Sequence, residues 1–150
     1  MNYLSVKQLL FLHMMLIDST GGTQGVRDVG LLEAAAARPR ATYGSVELDP
    51  DIFDKAAALM HSLILNHPVI DGNKRLSIAA AGLFLERNRY RLIASNEALE
   101  AFTLEVAQGL QDVPAIAKWL SENSKVNMGA FRGIVRGIDT SFEREDEDRY

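Results

Sequence analysis

The sequence predicts an all-α fold, a compact bundle of about six helices. Apolar residues recur at helical spacing in successive stretches, and each stretch is bounded by a capping residue, a glycine or a proline. Alternating strand patterns are nearly absent, apart from the short "YRLI" at 90 to 93. No period marks internal repeats.

The elements follow in order. Ser5-Val6-Lys7-Gln8 has the spacing of a capping box, in which serine and glutamine side chains satisfy each other's free backbone N–H groups. A helix is expected from about Val6 to Asp18, with Leu9, Leu12, His13, Leu16 and Ile17 at helical spacing and Gly21-Gly22 as the stop. Asp28 can cap a second, short helix through "VGLLEAAAAR", ended by Pro39. Residues 39 to 48 mix proline, glycine and polar residues, as a surface loop or small hairpin does. Asp49-Pro50 has the form of an N-cap plus first helical position. The helix that follows carries Ile52, Phe53, Ala56, Ala57, Leu59, Met60, Leu63 and Ile64, an apolar surface too broad for one wet side, which places it centrally. A fourth helix runs through "KRLSIAAAGLFLERN", where the alanines and Gly82 permit close approach. A fifth is expected from about Asn96 to Gln108, ending at Gly109. A sixth follows the Asp112 cap from about Pro114 to Ser121, with Ile116, Trp119 and Leu120 inward.

At 150 residues and 47% hydrophobic content the chain fits one domain with a sizeable core. No apolar run approaches the roughly 18 residues of a membrane span. The N-terminus lacks a basic leader and a small-residue cleavage site, so it is not read as a signal peptide. Zero cysteines exclude disulfides and thiolate metal sites and fit a reducing cytoplasm. The net charge of −4 argues against broad nucleic-acid binding but allows a local cationic pocket.

The chemistry concentrates in "HPVIDGNKR", residues 67 to 75. Pro68 disfavours α conformation at His67, so the central helix finishes at or just before it, and Asn73 is a suitable N-cap for the next helix. The first turn of that helix carries Lys74 and Arg75, cations at the positive end of the dipole, each unfavourable by about 0.3–1 kcal/mol unless a polyanion binds there. Gly72 has no Cβ to keep a ligand from the backbone. His67 has an unperturbed pKa, about 6.5, suited to removing a proton near neutral pH. Asp71 offers hard carboxylate oxygen, which Mg²⁺ takes when it shares coordination with phosphates and water. Base, metal ligand and phosphate cradle are the parts phosphoryl chemistry requires. Each residue also has an ordinary explanation, since Asp-Gly is a common turn pair, asparagine a common N-cap and Lys-Arg a common solvated pair. On physical grounds alone a polar turn and a phosphate site both stay open. A Walker A loop is absent.

The stretch resembles the signature of the Fic and death-on-curing (Doc) superfamily, H-P-F-x-[DE]-G-N-G-R-x-x-R in its nucleotidyl-transferring members, with the N-K-R variant of Doc-type toxins at Asn73-Lys74-Arg75. "SVKQLLFLH", "GGTQGVRDVGLLEAAAARP", "KAAALMHSLILNHP" and "AGLFLERNRY" are similar to the Doc family in the same order, so the resemblance covers roughly residues 3 to 122. It implies a six-helix fold and a cytoplasmic toxin of a type II toxin–antitoxin system. The implied activity is a Doc-like protein kinase that uses ATP and Mg²⁺ to transfer the γ-phosphate to a hydroxyl of a translation factor such as elongation factor Tu, inhibiting translation. The alternatives are Fic-type AMP transfer and a catalytically weak antitoxin-binding protein. His67 would deprotonate the acceptor, Asp71 would hold Mg²⁺, and the Gly72 backbone, Asn73, Lys74 and Arg75 would bind the phosphates. The implied partner is an antitoxin protein contributing a Phd-like segment that folds on binding. Neither a membrane nor direct nucleic-acid binding is expected. The loop at 39 to 48 occupies the region that aligns the target peptide in Fic relatives.

This chain departs from the pattern at three places. Val69 stands where a phenylalanine usually anchors the loop in the core. Ile78 stands where AMP-transferring members have a second arginine, and its presence with Lys74 favours the kinase alternative. The chain also continues past a catalytic domain expected over 1–123 into a partly disordered extension, 124–150. There Phe131, Ile134, Val135 and Ile138 share helical spacing, and Glu143 to Tyr150 are nearly all charged. Ser141-Phe142-Glu143-Arg144-Glu145 faintly resembles the S/T-x-x-x-E element of autoinhibited Fic proteins, but Asp146 replaces its usual following residue and the second arginine it pairs with is absent, which favours a partner-binding or solvated extension over inhibition in cis.

Elsewhere, His61 and His67 do not share a helical face and no H-E-x-x-H is present, so no histidine zinc site is expected. His13 and His61 are expected to be packed or surface histidines, Ser77 an ordinary helix residue near the phosphate position, Arg27-Asp28 a cap with a local ion pair, and Trp119 core.

Overall fold

The computed structural model describes residues 1–127. The expectations for Phe131 to Ile138, Ser141 to Glu145 and Glu143 to Tyr150 lie outside the described residues. Six α-helices make up the described part: α1 Val6–Thr20, α2 Val29–Ala37, α3 Ile52–Asn66, α4 Asn73–Arg87, α5 Asn96–Ala107 and α6 Val113–Glu122. The all-α bundle expected from the apolar spacing is the fold observed.

Local chemistry sets most boundaries where the caps predict them. The Ser5–Gln8 capping box is formed, Asp28 accepts from Leu31 N to open α2, and Asp112 accepts from Ala115 N to open α6. Two caps differ. Asp49-Pro50 does not open α3; Asp51 accepts from Asp54 N and caps it, while buried Asp49 pairs with Arg38. Asn73 does not cap α4 either; it is the first helical residue, and Gly72 in the left-handed region precedes it. In both cases a tertiary partner captured the side chain that sequence alone assigned to the cap.

α3 lies at the centre, packed chiefly against α4 and α6 and also against α2 and α5. Ala56, Ala57, Ala80 and Ala81 are each at most 1% exposed and give the α3–α4 pair its close fit. Gly82, expected to share that role, has nothing within 4 Å of where a Cβ would stand. Phe102 of α5 and Trp119 of α6 meet at 4.2 Å between ring centroids, so Trp119 packs against the core as expected. The short extended segment after α4 is β3 Tyr90–Leu92, and it pairs antiparallel with β4 Ser124–Val126, a partner the sequence pattern did not indicate.

Residues 42–47 form a hairpin, β1 Thr42–Tyr43 with β2 Val46–Glu47, after a single 3₁₀ turn at Arg38–Arg40. A two-residue pairing is marginal alone. Its base is pinned to α3 by Lys55, 1% exposed, whose Nζ donates to Pro39 O at 2.8 Å and to Glu47 Oε1 at 3.1 Å, and the Arg38–Asp49 ion pair joins the segments on either side of it. Lys55→Met leaves the buried Pro39 carbonyl without its donor, at a cost of about 1–3 kcal/mol. Thermal melting is expected to drop accordingly, with faster hydrogen exchange at 42–47; an unchanged melt with unchanged exchange there contradicts the anchor.

Burial, with the nearby Arg38 cation, holds the His61 imidazole below its usual pKa of 6.5, partly offset by Asp112. The fold therefore favours the neutral ring: stability from this site is complete above 6.5 and falls as pH drops from there through the lower folded value. His61→Gln is expected to flatten the decline of Tm between about pH 7 and about pH 5.5; an unchanged slope contradicts it.

Candidate functional site

The residues singled out at 67 to 75 form the joint between α3 and α4. α3 ends at Asn66, and His67 follows with φ 48° and ψ 57°, left-handed backbone that a non-glycine residue adopts only when its surroundings hold it. Those surroundings are Arg27 and the chain beside it. Arg27 Nε donates to His67 O and its Nη2 to Asn66 O, both at 2.6 Å, so one guanidinium covers two of the carbonyls that end α3. Arg27 N and Asp28 N both donate to Pro68 O, Ile70 N donates to Gly25 O, and Val26 and Val69 form an antiparallel bridge. The ion pair expected within Arg27-Asp28 is therefore replaced by two separate tasks, a helix C-terminal cap and a helix N-terminal cap.

Val69 anchors the loop despite being smaller than the phenylalanine usual there: it is 1% exposed and part of the core cluster. Asn73 reaches back over the loop, accepting from Val69 N at 3.0 Å and donating to Val69 O at 2.9 Å. This clasp explains why the residue is unavailable as a cap. His67 is exposed, and its ring makes no hydrogen bond among the described residues.

Asp71 is held from three directions. Its main-chain carbonyl accepts from His13 Nε2 at 2.7 Å, Oδ2 accepts from Thr23 N at 3.1 Å, and Oδ1 lies 3.5 Å from Arg75 Nη2. The Arg75 Nη1 also donates to Thr20 Oγ1 at 2.5 Å and to Gly21 O at 2.7 Å. The Asp71–Arg75 pair has side chains 45% and 36% exposed, so its attraction is worth only about 0–1 kcal/mol and exchange for other partners costs little. Lys74 is exposed and forms no ion pair among the described residues. Ser77 is fully buried and donates to Lys74 O, a helix residue as expected. α4 opens without a side-chain cap bond from Gly72 and without an acidic residue in its first turn, so no side chain of that turn offsets the positive end of its dipole.

No group of three or more His, Cys, Asp or Glu side chains that could hold a metal by themselves occurs among the described residues. A single partly exposed carboxylate beside a phosphate cradle suits Mg²⁺, which takes one or two protein carboxylates and completes its shell with phosphates and water. Asp71 fits that donor pattern.

Sequence reasoning missed the second wall of the site: His13, Thr20, Gly21, Gly22, Thr23 and Arg27. Its signal was present in Gly21, Gly22 and Gly25, too many glycines for a simple helix stop. A Cβ at Gly22 would stand 2.5 Å from Asp71 Oδ2, and one at Gly25 would stand 2.8 Å from Ile70 Cδ1. These glycines permit the turn to lie against the loop.

The fold and the loop together define a small helical protein that presents a histidine, a carboxylate and an uncapped cationic helix start on one joint. Residues 3–85 match the sequence model of the Fic/DOC family. The chain is 48% identical over 103 residues to a protein named Toxin Doc from Mycolicibacterium smegmatis, covering 67% of this chain and 79% of that one. It is also 32% identical over 120 residues to Protein kinase doc of Escherichia phage P1, covering 80% of this chain and 94% of that one. The chain belongs to the Fic/DOC family, and within it to the Doc toxins.

Asn73→Ala removes both bonds of the clasp and is expected to destabilise the protein by about 1–3 kcal/mol. A chemical-denaturation midpoint equal to that of the wild type would show that Val69 is held by packing alone.

Proposed function

We propose that the protein is the toxin of a type II toxin–antitoxin pair, acting in the cytoplasm as a kinase that transfers the γ-phosphate of ATP to a hydroxyl of a translation factor such as elongation factor Tu. The observation that carries the choice of chemistry is the first face of α4. Lys74 is exposed and has no ion-pair partner among the described residues, Arg75 is one residue on, and Ile78, where AMP-transferring members have a second arginine, packs against the core. The name of the phage P1 relative, a protein kinase, supports the same choice. No helix among the described residues is long and apolar enough to cross a membrane.

In this reading His67 takes the proton from the acceptor hydroxyl as its oxygen attacks the γ-phosphorus, the bond from that phosphorus to the bridging oxygen breaks, and ADP leaves. The left-handed turn that Arg27 fixes presents His67 to solvent, where a protein hydroxyl can arrive. Lys74 and Arg75 neutralise phosphate charge. The Gly72 backbone and the free N–H groups of the α4 start receive phosphate oxygens, and Asn73 contributes its remaining N–H while clasping the loop. Asp71 would hold Mg²⁺, which when bound supplies charge neutralisation between the phosphates. An antitoxin segment that folds on binding would silence the toxin.

The test incubates purified protein and elongation factor Tu with Mg-ATP and reads intact mass. A gain of about 80 Da supports phosphorylation, a gain of about 329 Da shows AMP transfer instead, and no gain removes this factor as the substrate. His67→Ala is expected to lower the modification rate by about 10²–10⁴-fold; a rate equal to that of the wild type excludes His67 as the base.

A further inference from the structure

Within the signature stretch only the half-exposed Arg75 contacts the Asp71 carboxylate, at 3.5 Å; the remaining contacts of Asp71 come from residues 13 to 23. We propose that His13, on α1, is a positioning residue for Asp71, fixing the carboxylate where it meets Mg-ATP; this rests on the ATP and Mg²⁺ reading above.

Leu9, His13 and Ile17 occupy successive turns of the buried stripe of α1. At 3% exposure a histidine in that stripe costs free energy unless it finds a partner. Its partner lies 58 residues away in sequence: the main-chain oxygen of Asp71, 2.7 Å from Nε2. A carbonyl oxygen only accepts, so His13 carries its proton on Nε2 and donates.

The rest of the same α1 unit acts on the other end of Asp71. The turn after α1 supplies Thr23 N to Oδ2, and Thr20 and Gly21 hold the arginine that faces Oδ1. Gly22 permits this approach, since its Cβ would overlap Oδ2, and Ile17 Cδ1 lies 3.2 Å and 3.3 Å from the Cβ positions of Gly22 and Gly72. Backbone and carboxylate of Asp71 are thus both referred to α1, with His13 as the fixed end. A carboxylate released by loss of that end still exists but no longer meets the phosphates at a set position. Groups that orient a metal-holding residue in this way are worth roughly 10–100-fold in metal affinity or activity.

The experiment measures ATP affinity calorimetrically with Mg²⁺ and with EDTA, so that the readout is the tightening produced by Mg²⁺ rather than turnover. In the wild type, Mg²⁺ is expected to tighten ATP binding. His13→Leu, which fills the stripe but cannot donate, is expected to lose roughly 10–100-fold of that tightening while ATP affinity in EDTA stays close to that of the wild type. His13→Gln, which keeps a donor at similar reach, is expected to recover most of it. In an Asp71→Ala background, His13→Leu is expected to change nothing further. If His13→Leu does not fold, His13→Met, which fills the same stripe with a flexible apolar side chain and also cannot donate, decides through the same loss. Wild-type protein without any Mg²⁺ tightening overturns the ATP reading and this inference with it. Tightening that persists in His13→Leu, or in His13→Met where that variant decides, overturns the role of His13 alone.

Discussion

Between Asn66 and Asn73 the chain must leave one packed helix and enter another while keeping His67 and Asp71 at the surface. What makes this possible is the backbone pairing of residues 25–28 with residues 68–70. Pro68 brings no N–H, yet its carbonyl takes two donors, Arg27 N and Asp28 N, and Ile70 N returns a bond to Gly25 O. The joint is therefore a fragment of sheet inside an all-α protein, one antiparallel bridge at Val26 and Val69. Backbone groups that helices leave orphaned at their ends find partners across the joint. Arg27 extends the same pairing to the carbonyls of Asn66 and His67. The left-handed His67 and the inward Val69 both hang from this seam.

The seam also explains how one joint can be rigid in backbone and adaptable in charge. Its hydrogen bonds are main-chain bonds next to buried Val69, whereas the Asp71–Arg75 pair is half exposed and weak. A ligand that offered Arg75 a phosphate and Asp71 a cation would replace a contact worth little and would meet a loop held by main-chain bonds. The overall charge of −4 is no obstacle, because screening over about 8–10 Å leaves the local cations of α4 to act alone.

The amount of this that the sequence disclosed follows from the range of each interaction. Capping boxes, helix periods and the central rank of α3 are local or periodic, and Ser5, Asp28, Asp112 and the broad apolar surface of α3 gave them correctly. Asp49 and Asn73 were misassigned as caps because each is captured by a contact that helix rules do not weigh: Arg38 across a turn, and Val69 back across a loop. The Doc-like signature identified the stretch that carries the joint, but the wall facing it comes from residues 13 to 27, and nothing local in a lone histidine on an apolar helix names a carbonyl 58 residues away. The strand partner of Tyr90–Leu92 was hidden for the same reason.

α3 joins the two parts of the molecule that depart from plain helix packing. Its first turn holds Lys55, which ties down the 42–47 hairpin, and its C-terminal cap is His67; fifteen residues of helix between and around them span about 22 Å. Because Lys55 to Met60, Leu63 and Ile64 are all buried, the helix is clamped along its length and cannot tilt at one end without disturbing the other. Hairpin and histidine are therefore placed relative to one rigid body, and a protein substrate or an antitoxin that pressed on the exposed Tyr43 and Val46 would meet a surface fixed with respect to His67. A long surface loop at 39–48 would not provide that reference. The buried ammonium at the base of the hairpin, costly in isolation, gives the short strands a fixed register that their two residues each could not establish.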